Sequence, residues 1–141
     1  MRKWVWLLFL SPVLASQCST QLVGVMESEG GFEGVLADLT VEVVPGSGGV
    51  WVDTMPLTQL ETQVSARLAR EVACEFLGVD CSGLDFYYQL RSDYPLVGGP
   101  SAGAPMTVCT LAALLNESVD SGVVMTGTVN PDGSVGVVGG Y

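Results

Sequence analysis

The sequence predicts an α+β domain in which a mixed sheet carries its helices on one face. Two periodicities support this class: apolar and polar residues alternate over residues 35–44, and apolar residues recur every four positions over residues 57–78. The predicted element order is strand, hairpin, helix, strand, helix, hairpin. A chain of 141 residues, 48% hydrophobic and 14% charged, can bury one compact core. We therefore expect a single domain.

The first half of the chain reads as strands. A short strand over residues 22–26 is followed by the turn sequence Glu29-Gly30-Gly31. Residues 35–44 (VLADLTVEVV) form the clearest strand, and residues 50–52 return after the glycine-rich turn 45–49. This pattern predicts that the two strands pair as a hairpin.

The first helix is predicted over residues 57–78, ending at a glycine. Charged residues occupy many of the intervening positions, as in an amphipathic helix. Its large apolar residues follow a four-residue repeat: Leu60, Val64, Leu68, Val72 and Phe76. We expect this stripe to face the core.

The second half of the chain contains a strand, a helix and a hairpin. Residues 84–90 (LDFYYQL) are rich in aromatic and apolar side chains and predict a strand. Residues 102–116 predict a helix that is apolar on nearly every face and therefore buried. Its Pro105 fits only in the first turn, which sets the helix start close to residue 101. Residues 123–129 and 134–138 predict a final hairpin.

Composition excludes several chemistries. The chain has 15 acidic and 5 basic residues, a formal net charge of −10, and no histidine. It can build neither a Ser-His-Asp nor a Cys-His catalytic unit, and it lacks imidazole ligands for metals. We expect no metal site, no cofactor and no nucleic-acid partner, since so acidic a surface repels phosphate backbones.

The amino terminus predicts export. Residues 1–15 combine Arg2 and Lys3 with an uncharged apolar stretch and small residues before a cleavage site, which is typical of a signal peptide. The apolar stretch is too short to span a bilayer. We expect a secreted or extracytoplasmic protein, with membrane association through the N-terminus as an alternative and lipidation at Cys18 as a minor one. Lys3 is the sole lysine, so signal cleavage would leave a chain without lysine.

The four cysteines leave two interpretations open. Cys18, Cys74, Cys81 and Cys109 contain no C-x-x-C pair, so a zinc ribbon or thioredoxin-type site is unsupported. Cys74 and Cys81 flank the end of the first helix and are a candidate disulfide in an exported protein. Alternatively, the cysteines are buried apolar thiols.

Ser101 is the candidate for chemistry. It lies between a Gly-Gly-Pro turn and the start of the buried helix, where free backbone amides can stabilise an oxyanion. Two other roles fit this position: a helix N-cap, and phosphate binding by a glycine-rich helix terminus without the lysine of a P-loop. The loop residues that would supply this backbone environment are Gly98, Gly99, Pro100, Ala102 and Gly103.

Three motifs resemble one known family. GGPSAG at residues 98–103, Met125-Thr126-Gly127, and NPDGSVG at residues 130–136 followed by Val138-Gly139-Gly140 occur in this order. Together they resemble the proteolytic domain of Lon proteases, most closely the archaeal secreted or membrane-associated Lon-like proteins without an ATPase module. The resemblance implies the fold that these domains share with a ribosomal-protein domain and the GHMP kinases. It covers residues 34–141, after a signal peptide (1–15) and an N-terminal segment (16–33).

The resemblance also implies a mechanism. Ser101 matches the nucleophile of a Ser-Lys serine endopeptidase, and Thr126 matches the threonine that orients the lysine. Gly98 departs from the acidic residue of many family members. The lysine itself would fall near position ~144, beyond Tyr141, so the domain is expected to be truncated at its C-terminus and inactive alone. A non-catalytic binding module and, less favoured, a phosphate-binding relative are the alternatives.

The same resemblance implies partners. Without an ATPase module in the chain, unfolding of substrates would not be powered, so unfolded or loosely folded proteins are the expected substrates. A homo-oligomeric ring is the assembly that the family resemblance implies.

Overall fold

The computed structural model describes residues 15–96 and 98–138. It has two helices, α1 (Leu60–Leu77) and α2 (Gly103–Leu115), and a 3-10 turn (Pro100–Ala102) immediately before α2. The strands are β1 (Ser16–Ser28), β2 (Gly31–Pro45), β3 (Val50–Leu57), β4 (Leu84–Leu96), β5 (Val124–Met125), β6 (Thr128–Val129) and β7 (Val135–Gly136). The predicted α+β class with a mixed sheet and two helices is confirmed.

The main sheet has five strands in the order β3-β4-β2-β1-β5. β2 pairs antiparallel with both β1 and β4, whereas β3 is parallel to β4 and β5 is parallel to β1. A parallel pair needs a crossover connection, and α1 supplies it between β3 and β4. α1 packs mainly against α2 and also contacts β3.

The predicted hairpin between residues 35–44 and 50–52 is wrong. In the structure β4 lies between β2 and β3. The loop at residues 46–49 turns around the start of β4: the Asp85 carboxylate accepts hydrogen bonds from the backbone N–H of Ser47 (2.9 Å) and Gly49 (2.8 Å). A Cβ on Gly46 would lie 2.1 Å from the Asp85 side chain, so this contact requires glycine. The turn sequence predicts that the strands on either side of it pair, but the loop instead contacts β4, which comes later in the chain.

β1 is much longer than the predicted strand at residues 22–26. Its 13 residues pair with β2 along their whole length, from Ser16 opposite Val43 to Ser28 opposite Gly31. The turn predicted at Glu29-Gly30 is confirmed. Sequence reasoning missed the first half of β1 because its inward residues include Cys18 and Thr20, which are small and weakly hydrophobic.

The expected core stripe of α1 faces mostly outward. Leu60, Val64 and Phe76 are 73%, 59% and 78% exposed, Leu68 is half-buried, and only Val72 is buried. The face that packs inward is made of small residues: Thr62, Ser65, Ala66, Ala69, Val72, Ala73 and Cys74. Small side chains let the helix backbone lie close to the sheet and to α2, and this close approach outweighs burial of the larger residues.

α2 is buried on most of its surface, as predicted. Met106, Cys109 and Ala113 are fully buried and belong to the same core cluster as Leu39 and Phe86 of the sheet. Pro105 is the third residue of α2, in the first turn, as its missing N–H requires.

A buried hydroxyl pair joins α2 to β4. The Thr110 hydroxyl donates to the Met106 carbonyl (2.7 Å) and therefore accepts from the Tyr88 hydroxyl (2.8 Å). Burial raises the pKa of the Tyr88 phenol well above its usual value, because the phenolate would lose its hydration.

All four cysteines are paired. Cys18 of β1 is bonded to Cys109 of α2, and Cys74 of α1 is bonded to Cys81 in the following loop. The candidate pair Cys74–Cys81 is confirmed, and the alternative of buried free thiols is wrong. Because the Cys18 sulfur is in a disulfide, lipidation at this residue does not fit the structure.

The last predicted hairpin is confirmed in part. β6 and β7 pair antiparallel, with Val129 opposite Val135. The expected single strand over residues 123–129 is divided, since Val124–Met125 joins the main sheet beside β1.

The N-terminal prediction lies largely outside the described residues. The predicted signal peptide covers residues 1–15, of which the structure describes only Ala15. Among the helices that are described, none is long and apolar enough to cross a membrane.

Candidate active-site serine

Ser101 lies in the 3-10 turn that leads into α2, and its side chain is partly exposed. The cap residue of α2 is Ala102, and neither the turn nor the helix has a side-chain cap hydrogen bond. The N-cap role considered for Ser101 is therefore wrong. Within the part of the chain that the structure describes, the Ser101 hydroxyl makes no hydrogen bond, so it is available to react or to bind.

The loop before Ser101 is hydrogen-bonded to the first turn of α1. The Gly99 N–H donates to the hydroxyl of the fully buried Thr62 (3.1 Å), and the Thr58 hydroxyl donates to the same oxygen (2.8 Å). A Cβ on Gly98 would lie 2.7 Å from both threonine hydroxyls. This close approach explains why position 98 is a glycine and not the acidic residue that the resemblance leads one to expect.

Gly99 has the backbone conformation that the turn needs. Its φ of 118° lies in the region that favours glycine, and its N–H points back to Thr62. Since Pro100 has no N–H and the Gly103 N–H donates to the Pro100 carbonyl, three of the loop positions cannot offer a free amide to a ligand. The amides of Ser101 and Ala102, in the first turn of the helix, are the remaining donors next to the Ser101 side chain.

The structure brings the Thr126 segment to Ser101. The Gly127 N–H donates to the Ser101 carbonyl (2.8 Å), and the Ala104 N–H donates to the Gly127 carbonyl (2.8 Å). Thr126 immediately precedes this paired backbone and its side chain is exposed. Two motifs that lie 25 residues apart in the sequence are thus joined through main-chain hydrogen bonds.

Glycines make this junction possible. A Cβ on Gly103 would lie 2.9 Å from the Val129 backbone nitrogen, and a Cβ on Gly127 would lie 2.9 Å from the Val135 side chain and 3.1 Å from Ala104. The start of α2 therefore contacts the backbone of β6 directly. The turn at residues 130–134 follows β6. In this turn the Asp132 carboxylate accepts hydrogen bonds from the N–H and hydroxyl of Ser134, and these hydrogen bonds lower the pKa of Asp132.

An open apolar groove of about 270 Å³ begins beside the Ser101 turn. One wall is the outer face of α1, and the other is β6. It is lined by Leu60, Glu61, Val64, Ser65, Leu68, Pro100, Thr128 and Val129. A larger cavity, of about 420 Å³ around Arg91, lies elsewhere on the sheet and includes none of the loop residues at Ser101.

No arginine in the described chain is placed to act as a base. Arg67 donates to the Gln63 carbonyl, Arg70 donates to the Cys81 carbonyl, and Arg91 forms an ion pair with Asp53. A guanidinium also remains protonated at any accessible pH. Within residues 15–96 and 98–138, no three Cys, Asp or Glu side chains converge as potential metal ligands.

Sequence reasoning missed the threonines beneath the loop. Thr62 is in the first turn of α1, whereas Thr58 lies two residues before the helix, so no helical spacing signals their contact. The stripe predicted to face the core lies on a different side of α1 from Thr62.

The fold and this serine loop define an α+β domain with a candidate nucleophile at a helix start. No protein-family model matches the chain. The chain is similar to two curated archaeal Lon proteases, from Thermoplasma volcanium and Thermoplasma acidophilum. Each is 29% identical over 113 residues, which cover 77% of this chain but only 17% of the relative. This similarity supports a relation to Lon proteases and a protease function at the level of the family.

Proposed function

We propose that this chain provides the nucleophile of a Lon-like serine endopeptidase centre, with Ser101 as the attacking group and Thr126 as the residue that orients the lysine base. The observation that carries the proposal is the main-chain junction between Ser101 and Gly127, which unites the serine motif with the Met-Thr-Gly motif. The free, partly exposed Ser101 hydroxyl supports it further.

The chemistry requires a base that the chain lacks after residue 3. In the proposed reaction the Ser101 oxygen attacks the scissile carbonyl carbon while its proton passes to a lysine amine. The C–N bond then breaks, the same proton goes to the leaving amine, and water hydrolyses the acyl-serine ester to release the carboxylate and restore the hydroxyl. The amides of Ser101 and Ala102 are the donors proposed for the oxyanion.

We infer that the chain alone does not hydrolyse peptides. The sole lysine is Lys3, within the predicted signal peptide, and a carboxylate is too weak a base for a serine hydroxyl. A lysine would need its pKa lowered from about 10.4 towards 7–8 by burial, so the base must come on a segment that encloses the serine. Export, substrates that are already unfolded, and assembly into a ring belong to the same proposal.

The test compares four proteins in a peptide hydrolysis assay. The chain from residue 16 is expected to show no hydrolysis that depends on Ser101. The same chain extended by a helical segment bearing a lysine near position ~144 is expected to hydrolyse an unfolded protein. Ser101→Ala in the extended chain abolishes this activity, and Ser118→Ala, at another exposed serine, is the matched control.

Binding of a peptide boronate tests the role of Ser101 as nucleophile separately from the absence of the base. A boronate forms a tetrahedral adduct on a reactive serine oxygen, and we expect this adduct at Ser101 by mass spectrometry of the extended chain. If the unextended chain hydrolyses peptides and Ser101→Ala removes this activity, the inference that the chain lacks its base is wrong. Absence of both the adduct and the hydrolysis in the extended chain would overturn Ser101 as nucleophile.

A non-catalytic binding module is the second candidate. The specific observation in its favour is the open apolar groove beside Ser101, which can hold a polypeptide whether or not a base is present. Binding without hydrolysis in every chain would favour it.

A further inference from the structure

The exposed side of α1 carries an ordered series of side chains. Five of these residues are spaced by three or four positions and therefore form one continuous ridge along the helix: Leu60, Val64, Leu68, Glu71 and Glu75. Leu68 is half-buried and the other four are exposed. The first half of the ridge is apolar and lines the groove beside Pro100, whereas the second half is acidic.

The acidic half is unfavourable for the helix itself. Glu75, in the last turn of α1, opposes the helix dipole, and that turn contains no basic residue. Glu71, four residues earlier, adds like-charge repulsion. In the described chain neither Glu71 nor Glu75 forms an ion pair, the one salt bridge there being Arg91–Asp53. Arg67, four residues before Glu71 on the exposed side, donates to the Gln63 carbonyl instead of pairing with either glutamate. Carboxylates left unpaired on an exposed face are typical of a functional surface.

We propose that this ridge binds polypeptide segments in which large apolar residues and a pair of cationic residues are separated by about four positions. The apolar residues would occupy the groove at Leu60 and Val64, and Lys or Arg side chains would approach Glu71 and Glu75. The two halves of the ridge are centred about nine residues apart on the helix, or about 14 Å. An extended peptide covers that distance in about four residues. The inference rests on the proposed function in placing the apolar end beside Ser101, and it names the class of substrate.

Charge complementarity selects this occupant over others. A second copy of the chain carries the same net charge of −10 and the same acidic ridge, so it is repelled. A cationic segment both neutralises the glutamates and gains from the overall field of the protein. Lysine-rich unfolded segments are therefore favoured over acidic ones.

The experiment measures peptide binding by fluorescence anisotropy at low salt, with the chain from residue 16. The first peptide has a Leu-Val pair followed four residues later by Lys-Lys, and the second has Glu-Glu in place of Lys-Lys. We expect the lysine peptide to bind at least about fivefold more tightly, and the preference to shrink as salt is added. Equal binding of the two peptides would overturn the proposal.

Variants locate the site on α1. The double substitution Glu71→Gln and Glu75→Gln should remove most of the lysine preference, whereas Glu29→Gln with Glu33→Gln changes the net charge equally on the β1–β2 hairpin and should retain it. If the two double variants behave alike, the preference comes from net charge and the proposed ridge is wrong.

A second pair of variants tests the apolar half. Leu60→Ser with Val64→Ser should weaken both peptides, and Phe32→Ser with Leu36→Ser, at equally exposed positions elsewhere, should not. Binding is measured without hydrolysis, so an unreactive Ser101 leaves this result unaffected. Circular dichroism checks that each variant, altered only at exposed residues, remains folded.

Discussion

The two helices pack on the same core but use their apolar residues in opposite ways. α2 buries Met106 and Cys109 completely and contains no charged residue. α1 buries Ala66, Ala69 and Ala73 and leaves Leu60 and Val64 exposed. Residue size therefore does not decide which face of a helix is buried. The closeness of the packing partners does, and α1 lies against both the sheet and α2.

The two helices also differ in their disulfide cross-links. α2 is tied to β1 by Cys18–Cys109, which closes a loop of 91 residues, whereas α1 is tied only to its own following loop by Cys74–Cys81, seven residues apart. Because α2 begins at the Ser101 turn, the longer cross-link also restrains the candidate site.

The largest expected effect is loss of the long cross-link. Replacing Cys18 and Cys109 together by Ser should lower the free energy of unfolding by about 4–5 kcal/mol, since a long loop gains most entropy in the unfolded chain. Replacing Cys74 and Cys81 by Ser should cost about 2–3 kcal/mol. Urea unfolding under non-reducing conditions measures both. Equal costs would contradict the view that α2 is the more firmly anchored helix.

The next prediction tests the small-residue face of α1. Ala69 is fully buried, so Ala69→Leu should overpack the interface and lower the free energy of unfolding by about 1–3 kcal/mol. Val64→Leu, on the exposed face of the same helix, should change it by less than about 0.5 kcal/mol. Thermal and urea unfolding of the two variants measure the difference. A cost at Val64 equal to that at Ala69 would restore the four-residue stripe as the core face.

The smallest expected effect is a loss of stability at acidic pH. Hydrogen bonds from Ser47 and Gly49 lower the pKa of Asp85 below its usual value of 3.8. The carboxylate therefore stabilises the fold above about pH 4, and this stability is lost as the pH falls through the lowered pKa. α2 has no comparable carboxylate, so we expect acid to loosen first the loop that leads into β3 and α1.

The measurement compares melting temperatures between pH 7 and pH 2.5. Asp85→Asn should be less stable than wild type at pH 7 and should lose less stability on acidification. Asp93→Asn removes the same charge at an exposed residue and should follow the wild type. An unchanged acid response in Asp85→Asn would remove Asp85 as the cause.

Much of the site was visible in the sequence because it depends on local chemistry. Gly-Gly-Pro before Ser101 predicts a turn, and Pro105 sets the helix start within a few residues, since proline has no N–H to donate. The family resemblance gives Ser101 and Thr126 roles in one site, and the structure joins their segments through the hydrogen bond from the Gly127 N–H to the Ser101 carbonyl. The support from Thr62 was not foreseen, because it depends on which face of α1 is buried.

The sequence by itself determined the class of fold, the turns, the buried character of α2 and the position of the candidate nucleophile. These features follow from periodicity, backbone restrictions of glycine and proline, and overall hydrophobicity, all of which act over a few residues. The tertiary structure alone decided that β4 separates β2 from β3. It also decided which face of α1 is inward and that Cys18 pairs with Cys109. Those outcomes depend on which distant segments approach most closely, and short-range patterns carry no information about that distance.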